Sequence, residues 1–418
     1  MERSIKRNKT IVILQQALRT MALLCASGTL MQAFLAYVGF TESNIYLHAT
    51  MINAVNVAAT LLCSRYADGR SIKRRSAFVQ IPNGLLFLCL LPFCFGVNAS
   101  SGAFLLLLGI SLAQSVFTAL NTVCEYKLPY HLYRHSDVGI VNAISGVASS
   151  ILTFLVGILL DFLKKTVSYD RLMLYAFLIA AFFMVAAGVL ALCVTVFQNA
   201  EEGTEEKAAE HVEKKKKISL LAMFRTPVFY LLLPANITRG IASGCVNVLA
   251  TVAVALHFEN LAPIMVSISA IANLIACVLF GISCRFVSAR LPLFIGSLCF
   301  LLLPLGLLGS PTLFLVMYAV VYFGRSVVDI AVPSLIICVV DAEIAGPYNA
   351  WRMILHTGGM MIATTVAALP FVTPAMLLWA TLACSVISGA LFFFIPLLRR
   401  ASPLFVHGRP HLLRFYKR

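Results

Sequence analysis

Long apolar runs follow one another through almost the whole of this 418-residue chain, separated by short polar or Gly/Pro-containing breaks. Hydrophobic residues make up 60% of the sequence and charged residues 12%, which is more apolar material than the core of a water-soluble protein absorbs. A bilayer core about 30 Å thick needs about 20 apolar residues per helix. The sequence therefore predicts an all-α protein that crosses the lipid bilayer many times.

On that scale we count twelve transmembrane helices. The first six predicted spans are residues 11–38, 44–63, 76–97, 102–125, 138–160 and 171–197. The last six are residues 227–256, 263–284, 291–309, 312–340, 347–370 and 374–397. The first run is too long for the hydrophobic region of a cleaved signal peptide, so we expect it to remain as the first span.

A charged stretch at residues 198–223 divides the spans into two sets of six. It holds six Glu and five Lys and has no apolar stripe until Ile218, so we expect its first part to be solvated and mobile. The predicted organisation is an N-terminal six-helix membrane half at 1–197, the charged cytoplasmic linker at 198–223, a C-terminal six-helix membrane half at 224–398 and a basic cytoplasmic tail at 399–418.

Lys and Arg residues are distributed unequally between the two sides of the membrane. If the N-terminus is cytoplasmic, the opposite side collects only Lys164, Lys165 and Arg171. Because basic loops stay inside, both termini should be cytoplasmic, which requires an even number of spans. We therefore attribute the net charge of +15 to topology and expect no nucleic-acid partner. The expected location is the cell membrane, plasma or inner, as a multi-pass protein.

The sequence lacks the patterns of an enzyme or a metalloprotein. Its twelve Cys are scattered singly inside apolar runs without CxxC spacing, as expected for small packing residues. It has no Walker sequence and no His/Cys/Asp cluster with metal-ligand spacing. We expect no catalytic activity, no cofactor, no bound metal and no direct use of ATP.

The two halves share a faint similarity at long offset. Three residues of span four are spaced as three residues of span ten are: Asn121, Glu125 and Pro129 in the first, Arg325, Asp329 and Pro333 in the second. Together with the division into two sets of six spans, this spacing favours an internal duplication.

These features resemble the major facilitator superfamily over nearly the whole chain. The loop between spans two and three keeps the Asp (Asp68) and the basic cluster (Arg70 to Arg75) of that family's loop motif, while Ser64 replaces its leading Gly. Leu128-Pro129 at the end of span four is similar to efflux-type members. The resemblance implies a secondary transporter, usually a monomer, whose halves rock around one central cavity. It also implies that spans one, four, seven and ten line that cavity.

Polar side chains inside spans must face a protein interior or water, which identifies candidate site residues. Asp329 is the one acid that lies clearly within a predicted span, and Arg325 lies one turn earlier on the same helix face. We expect Asp329 to be a proton-sensitive carboxylate or a substrate contact, with Arg325 as its partner. The alternative is a locked ion pair that only stabilises the bundle. Glu125 lies nearer the cytoplasmic end of span four.

A second deep cation, Arg239, lies in span seven. Together with Arg325 it leaves the cavity neutral to cationic, which suits an anionic or zwitterionic solute. Arg19 lies within reach of the cytoplasmic surface, where we expect it to snorkel or to act in a gate. Further candidates for solute contacts or interhelical hydrogen bonds are Asn121, Gln32 and Asn247. Candidates for a cytoplasmic gate are Asp68, Arg70, Arg74 and Arg352.

The expected function is therefore secondary transport of a small organic solute by alternating access, coupled to protons through Asp329. The likeness at Pro129 favours efflux, whereas the buried arginines favour uptake or exchange of an anion. One alternative is efflux of drugs, lipids or other amphiphiles on the same fold. An alternative of another class is a membrane sensor or scaffold that transports nothing.

Overall fold

The computed structural model of this chain is almost entirely helical. It describes residues 2–26, 28–63, 66, 72–95, 100–133, 135–199, 204–205, 227–257, 262–283, 290–302, 310–339, 342–369 and 371–398.

Seven α-helices precede the linker. They are α1 (Glu2–Ala26), α2 (Gly28–Val38), α3 (Glu42–Leu62), α4 (Ile72–Leu88), α5 (Ser101–Leu132), α6 (His135–Thr166) and α7 (Tyr169–Leu192). A 3-10 turn at Leu91–Cys94 follows α4. Gly39, with φ of 97°, follows α2, and the Thr41 side chain caps α3 by accepting a hydrogen bond from the Asn44 backbone N–H.

The helices after the linker follow in the order that the sequence predicts. They are α8 (Pro227–His257), α9 (Ala262–Ser283), α10 (Arg290–Leu298), α11 (Pro311–Val339), α12 (Ala342–Ala367) and α13 (Pro374–Leu398), with a 3-10 turn at Cys299–Leu302 after α10. In the described part of the chain, eight helical stretches are long and apolar enough to cross a membrane, six of them before the linker. The all-α membrane architecture is confirmed, while twelve spans and cytoplasmic termini stay predictions.

Apolar side chains cover both the inside and the outside of the bundle. In the first half the fully buried Phe34 and Phe177 rings meet edge to face, with centroids 5.4 Å apart. Large side chains such as Phe182 and Trp379 point outward, each 69% exposed. An apolar exterior of this kind is stable when lipid surrounds it.

Helix packing repeats between the two halves. In the first half α1 packs on α6 and α7, α3 packs on α5, and α4 packs on α5 and α7. In the second half α8 packs on α12 and α13, α9 packs on α11, and α10 packs on α11 and α13. Each second-half pair corresponds to the first-half pair six spans earlier, in agreement with the predicted internal duplication.

The two halves meet chiefly through α3 against α12 and α6 against α9. We call these four helices the seam. Thr50 Oγ1 donates a hydrogen bond to Thr364 Oγ1 at 3.1 Å in the first contact. Asn273 Nδ2 donates to Ser150 Oγ at 2.7 Å in the second. The seam helices occupy the positions of the predicted second and fifth spans of each half.

The start of the linker differs from the prediction of a solvated segment. Strand β1 (Phe197–Asn199) pairs antiparallel with strand β2 (Thr204–Glu205). The Phe197 side chain is fully buried, and its carbonyl lies 3.1 Å from Nδ1 of His131. The prediction was wrong at this point because one apolar side chain next to the charges anchors the chain to the bundle. The rest of the linker and the tail at 399–418 lie outside the described residues.

The ends of two predicted spans also differ from the structure. The first helix begins at Glu2 rather than at residue 11, and the sixth span ends at Leu192 rather than at 197. Asn8 explains both ends, because its side chain bonds to the backbone of Leu132 and Thr195. These bonds hold the basic N-terminal turns against the end of α5 and the chain that follows α7.

Candidate functional site

Asp329 on α11 forms its closest ion pair with Arg239 on α8. Arg325, predicted as the partner, lies farther away, with its Nε 3.8 Å from Asp329 Oδ2. The Arg239 side chain is 4% exposed, whereas that of Asp329 is 50% exposed. The pair therefore joins α8 to α11, and its carboxylate is half exposed.

Arg325 is held mainly by neutral groups. Its Nη1 donates to Asn247 Oδ1 on α8 at 3.3 Å, and its guanidinium carbon lies 5.6 Å from the centroid of the Tyr322 ring. Tyr322 in turn lies against Tyr318, with ring centroids 4.4 Å apart. Two guanidiniums thus share the Asp329 carboxylate, so this wall of the bundle carries more positive than negative charge.

A close helix crossing brings α12 to the same place. A Cβ atom at Gly240 of α8 would collide with the carbonyl oxygen of His356, and one at Gly359 of α12 would collide with the backbone of α8. The two backbones therefore lie in direct contact. As a result His356 and Arg352 on α12 come within electrostatic range of the Arg239–Asp329 pair. Arg352, a predicted gate residue, is 6% exposed.

The first half contains a matching ion pair that the sequence did not predict. Arg19 on α1 binds Glu125 on α5, and each side chain is 22% exposed. Arg19 was expected to snorkel or to act in a gate. It pairs inside the bundle instead of snorkelling, because a carboxylate within reach stabilises the guanidinium there, and its role in a gate stays a prediction. The internal repeat could have predicted this pair, because it places Glu125 in the first half at the position that Asp329 has in the second half.

The other predicted residues are described in part. Asn121 Oδ1 accepts a hydrogen bond from Gln80 Nε2 on α4 at 2.8 Å, as an interhelical contact. Gln32 lies half-buried in α2, and Arg74 is exposed near the start of α4. Asp68 and Arg70 lie outside the described residues. Among the residues that the structure describes, no group of three or more His, Cys, Asp or Glu side chains could hold a metal ion.

Solved transporter structures share this fold. A bacterial homologue of the iron transporter ferroportin in an outward-facing state matches with a TM-score of 0.69 at 15% identity, covering 93% of this chain and 99% of that one. The human organic anion transporter MFSD10 (TETRAN) matches with a TM-score of 0.63 at 15% identity, covering 94% and 99%. The proton:xylose symporter XylE matches with a TM-score of 0.69 at 13% identity, covering 96% of each chain.

At these identities the structural matches concern the fold alone, and no curated protein sequence matches the chain. The sequence model of one family, the Major Facilitator Superfamily, matches residues 12–364. That match spans both halves and the residues of the site, as the resemblance in the sequence led us to expect. The chain therefore belongs to the Major Facilitator Superfamily, whose members are multi-pass membrane transporters.

Proposed function

We propose that this protein is a secondary transporter of the cell membrane that moves a small organic anion by alternating access, coupled to protons through Asp329. One observation carries the proposal: Arg239 and Arg325 share a single, half-exposed carboxylate at the space between the halves. A guanidinium binds carboxylate or phosphate through two parallel hydrogen bonds. A solute anion can therefore occupy the place that Asp329 holds when the site is empty.

Asp329 links proton binding to anion binding through charge. Its surroundings are Arg239 on α8, Arg325 on its own helix, and His356 and Arg352 on α12. Protonation of Asp329 removes the one carboxylate of this group and releases the guanidiniums for a solute anion. Because the two binding events favour each other, they are thermodynamically coupled.

The seam gives this site a way to face each side in turn. The contacts of α3 with α12 and of α6 with α9 hold the halves together, and in the proposed cycle α1, α5, α8 and α11 border the solute path. A rocking motion about the seam opens one end of that space and closes the other. MFSD10, an organic anion transporter, and XylE, a proton-coupled symporter, share the fold and so support such a cycle. We propose a monomer as the working unit.

The first test is a ligand screen by thermal unfolding of the purified protein in detergent. A ligand at one hundred times its Kd raises stability by about 2.7 kcal/mol. We expect carboxylates or organic phosphates to raise the melting temperature of the wild type and of Arg171→Ala, whose side chain is exposed at one end of α7. The Arg325→Ala variant should lose that shift.

A shift with sugars or cationic drugs that persists in Arg325→Ala would contradict the anion proposal. It would make Arg325 a structural residue and favour sugar transport or drug efflux.

One observation favours efflux of an amphiphile as a second candidate. A groove of about 320 Å³ between α9 and α11 is lined only by apolar residues: Ile268, Ile271, Ala272, Ile275, Ala319, Val320 and Phe323. An acyl chain fits such a surface. If this groove serves transport, Ala272→Phe should reduce flux of amphiphilic drugs while leaving flux of small carboxylates unchanged.

A further inference from the structure

The first half holds an ion pair that the proposed cycle does not use. Arg19 and Glu125 join α1 to α5 as Arg239 and Asp329 join α8 to α11. In both cases the guanidinium comes from the first span of a half and the carboxylate from the fourth. Glu125 and Asp329 also lie four residues before a proline of their helix, Pro129 and Pro333. The internal duplication therefore places one Arg–carboxylate pair in each half.

Both pairs include side chains that are partly exposed. Each side chain of the first-half pair is 22% exposed, and the Asp329 side chain is 50% exposed. Charged atoms in membrane spans face water or protein rather than lipid. From the seam contacts, which join α3 to α12 and α6 to α9, we infer that α1 and α5 face α8 and α11 across a central space. On that arrangement the two pairs lie on opposite walls of the space, with guanidiniums on both.

We propose that the transported solute is a dicarboxylate, bound with one carboxylate on Arg239 and Arg325 and the other on Arg19. This inference rests on the proposed function and names its substrate class. In the empty site Glu125 neutralises Arg19, and Asp329 offsets one of the two positive charges of Arg239 and Arg325. The second carboxylate of the solute replaces Glu125 on Arg19, so that the solute bridges the two halves. A monocarboxylate leaves the Arg19–Glu125 pair intact and gains nothing from it.

The test compares dicarboxylates from malonate to adipate with their monoamides, by calorimetric binding to the full-length protein in detergent. One charge-assisted hydrogen-bonded contact changes affinity by about tenfold or more. We expect the best dicarboxylate to bind at least about tenfold more tightly than its monoamide. Arg19→Gln should remove that advantage and leave monoamide affinity unchanged, whereas Arg325→Gln should weaken both ligands.

A second variant separates a binding role from a folding defect. Glu125→Gln removes the internal competitor for Arg19, so it should strengthen dicarboxylate binding and leave monoamide binding unchanged. A damaged protein would lose affinity for both ligands. The control is Lys165→Gln, which breaks the exposed Lys165–Asp161 pair on α6 and should change neither affinity.

The outcomes distinguish this inference from the proposed function. Equal affinity for dicarboxylate and monoamide, lost in Arg325→Gln but insensitive to Arg19→Gln and Glu125→Gln, overturns the dicarboxylate and keeps the anion transporter. Absence of binding by every carboxylate and every organic phosphate of the ligand screen overturns both.

Discussion

At the residue scale, the proposed function depends on the two ion pairs that Asp329 forms, with Arg239 and with Arg325. Arg239 is almost fully buried, so removal of its carboxylate leaves a cation inside the bundle. Breaking a buried pair costs about 3–5 kcal/mol, and the half exposure of Asp329 lowers our expectation to about 2 kcal/mol.

We therefore expect Asp329→Leu to lower the thermal midpoint in detergent, and the double variant Arg239→Met/Asp329→Leu to recover more than half of that loss. The double variant recovers stability because it leaves no unpaired charge on α8. If the stability lost by the double variant equals the sum of the losses of the two single variants, the two side chains do not stabilise each other.

The sequence identifies most of these residues and the Arg325–Asp329 pair, but not the contacts between helices. Acids are so scarce in the spans that Asp329 and Glu125 stand out, and Arg325 and Arg239 are the deep cations. Spacing along one helix predicts an Arg325–Asp329 pair, yet the closest contact comes from another helix. Contacts between helices depend on how the helices cross, which spacing along a single helix does not contain. The Arg19–Glu125 pair was missed for the same reason.

At the element scale, the crossing of α8 and α12 positions His356 and Arg352 beside the ion pair. Gly359 lies against the backbone of Ile237 and Ile241, whereas its neighbour Gly358 has open space around its Cα. These adjacent glycines form a matched pair for substitution.

We expect Gly359→Ala to reduce the free energy of unfolding by about 2 kcal/mol and so to lower the thermal midpoint, because the added methyl group forces the two backbones apart. Gly358→Ala should be neutral or stabilising by up to about 1 kcal/mol, since Ala favours the helix. Equal effects of the two substitutions on the melting curve would contradict the close crossing.

Helix order was predictable and some helix boundaries were not. Apolar run length gives the existence of a span, because a helix must satisfy its backbone groups across the lipid. The same length says little about where a helix ends outside the lipid, where hydrogen bonding continues in water. Thus α1 extends through the basic N-terminus to Glu2, and Phe197, predicted as the end of the sixth span, starts a hairpin that continues into the charged stretch.

At the scale of the whole molecule, transport requires the halves to move about the seam. Thr50 and Thr364 lie 3.1 Å apart between their hydroxyl oxygens, close enough for a disulfide after replacement of both by Cys. Oxidation of the Thr50→Cys/Thr364→Cys variant should stop flux, and a reductant should restore it. Each single variant, which carries the same native cysteines, should stay active under oxidant. Full flux in the crosslinked protein would show that this contact need not open.

The central claim is that Asp329 couples protons to the movement of an anion. The most direct measurement is uptake of the anion identified in the ligand screen into proteoliposomes, with and without a pH gradient, for the wild type and Asp329→Asn. We predict saturable uptake by the wild type that the gradient drives to accumulation. Asp329→Asn should lose accumulation and keep at least part of its anion exchange, because Arg239 and Arg325 remain. Unchanged accumulation by Asp329→Asn would contradict the coupling, and absence of saturable flux in the wild type would favour a sensor or scaffold.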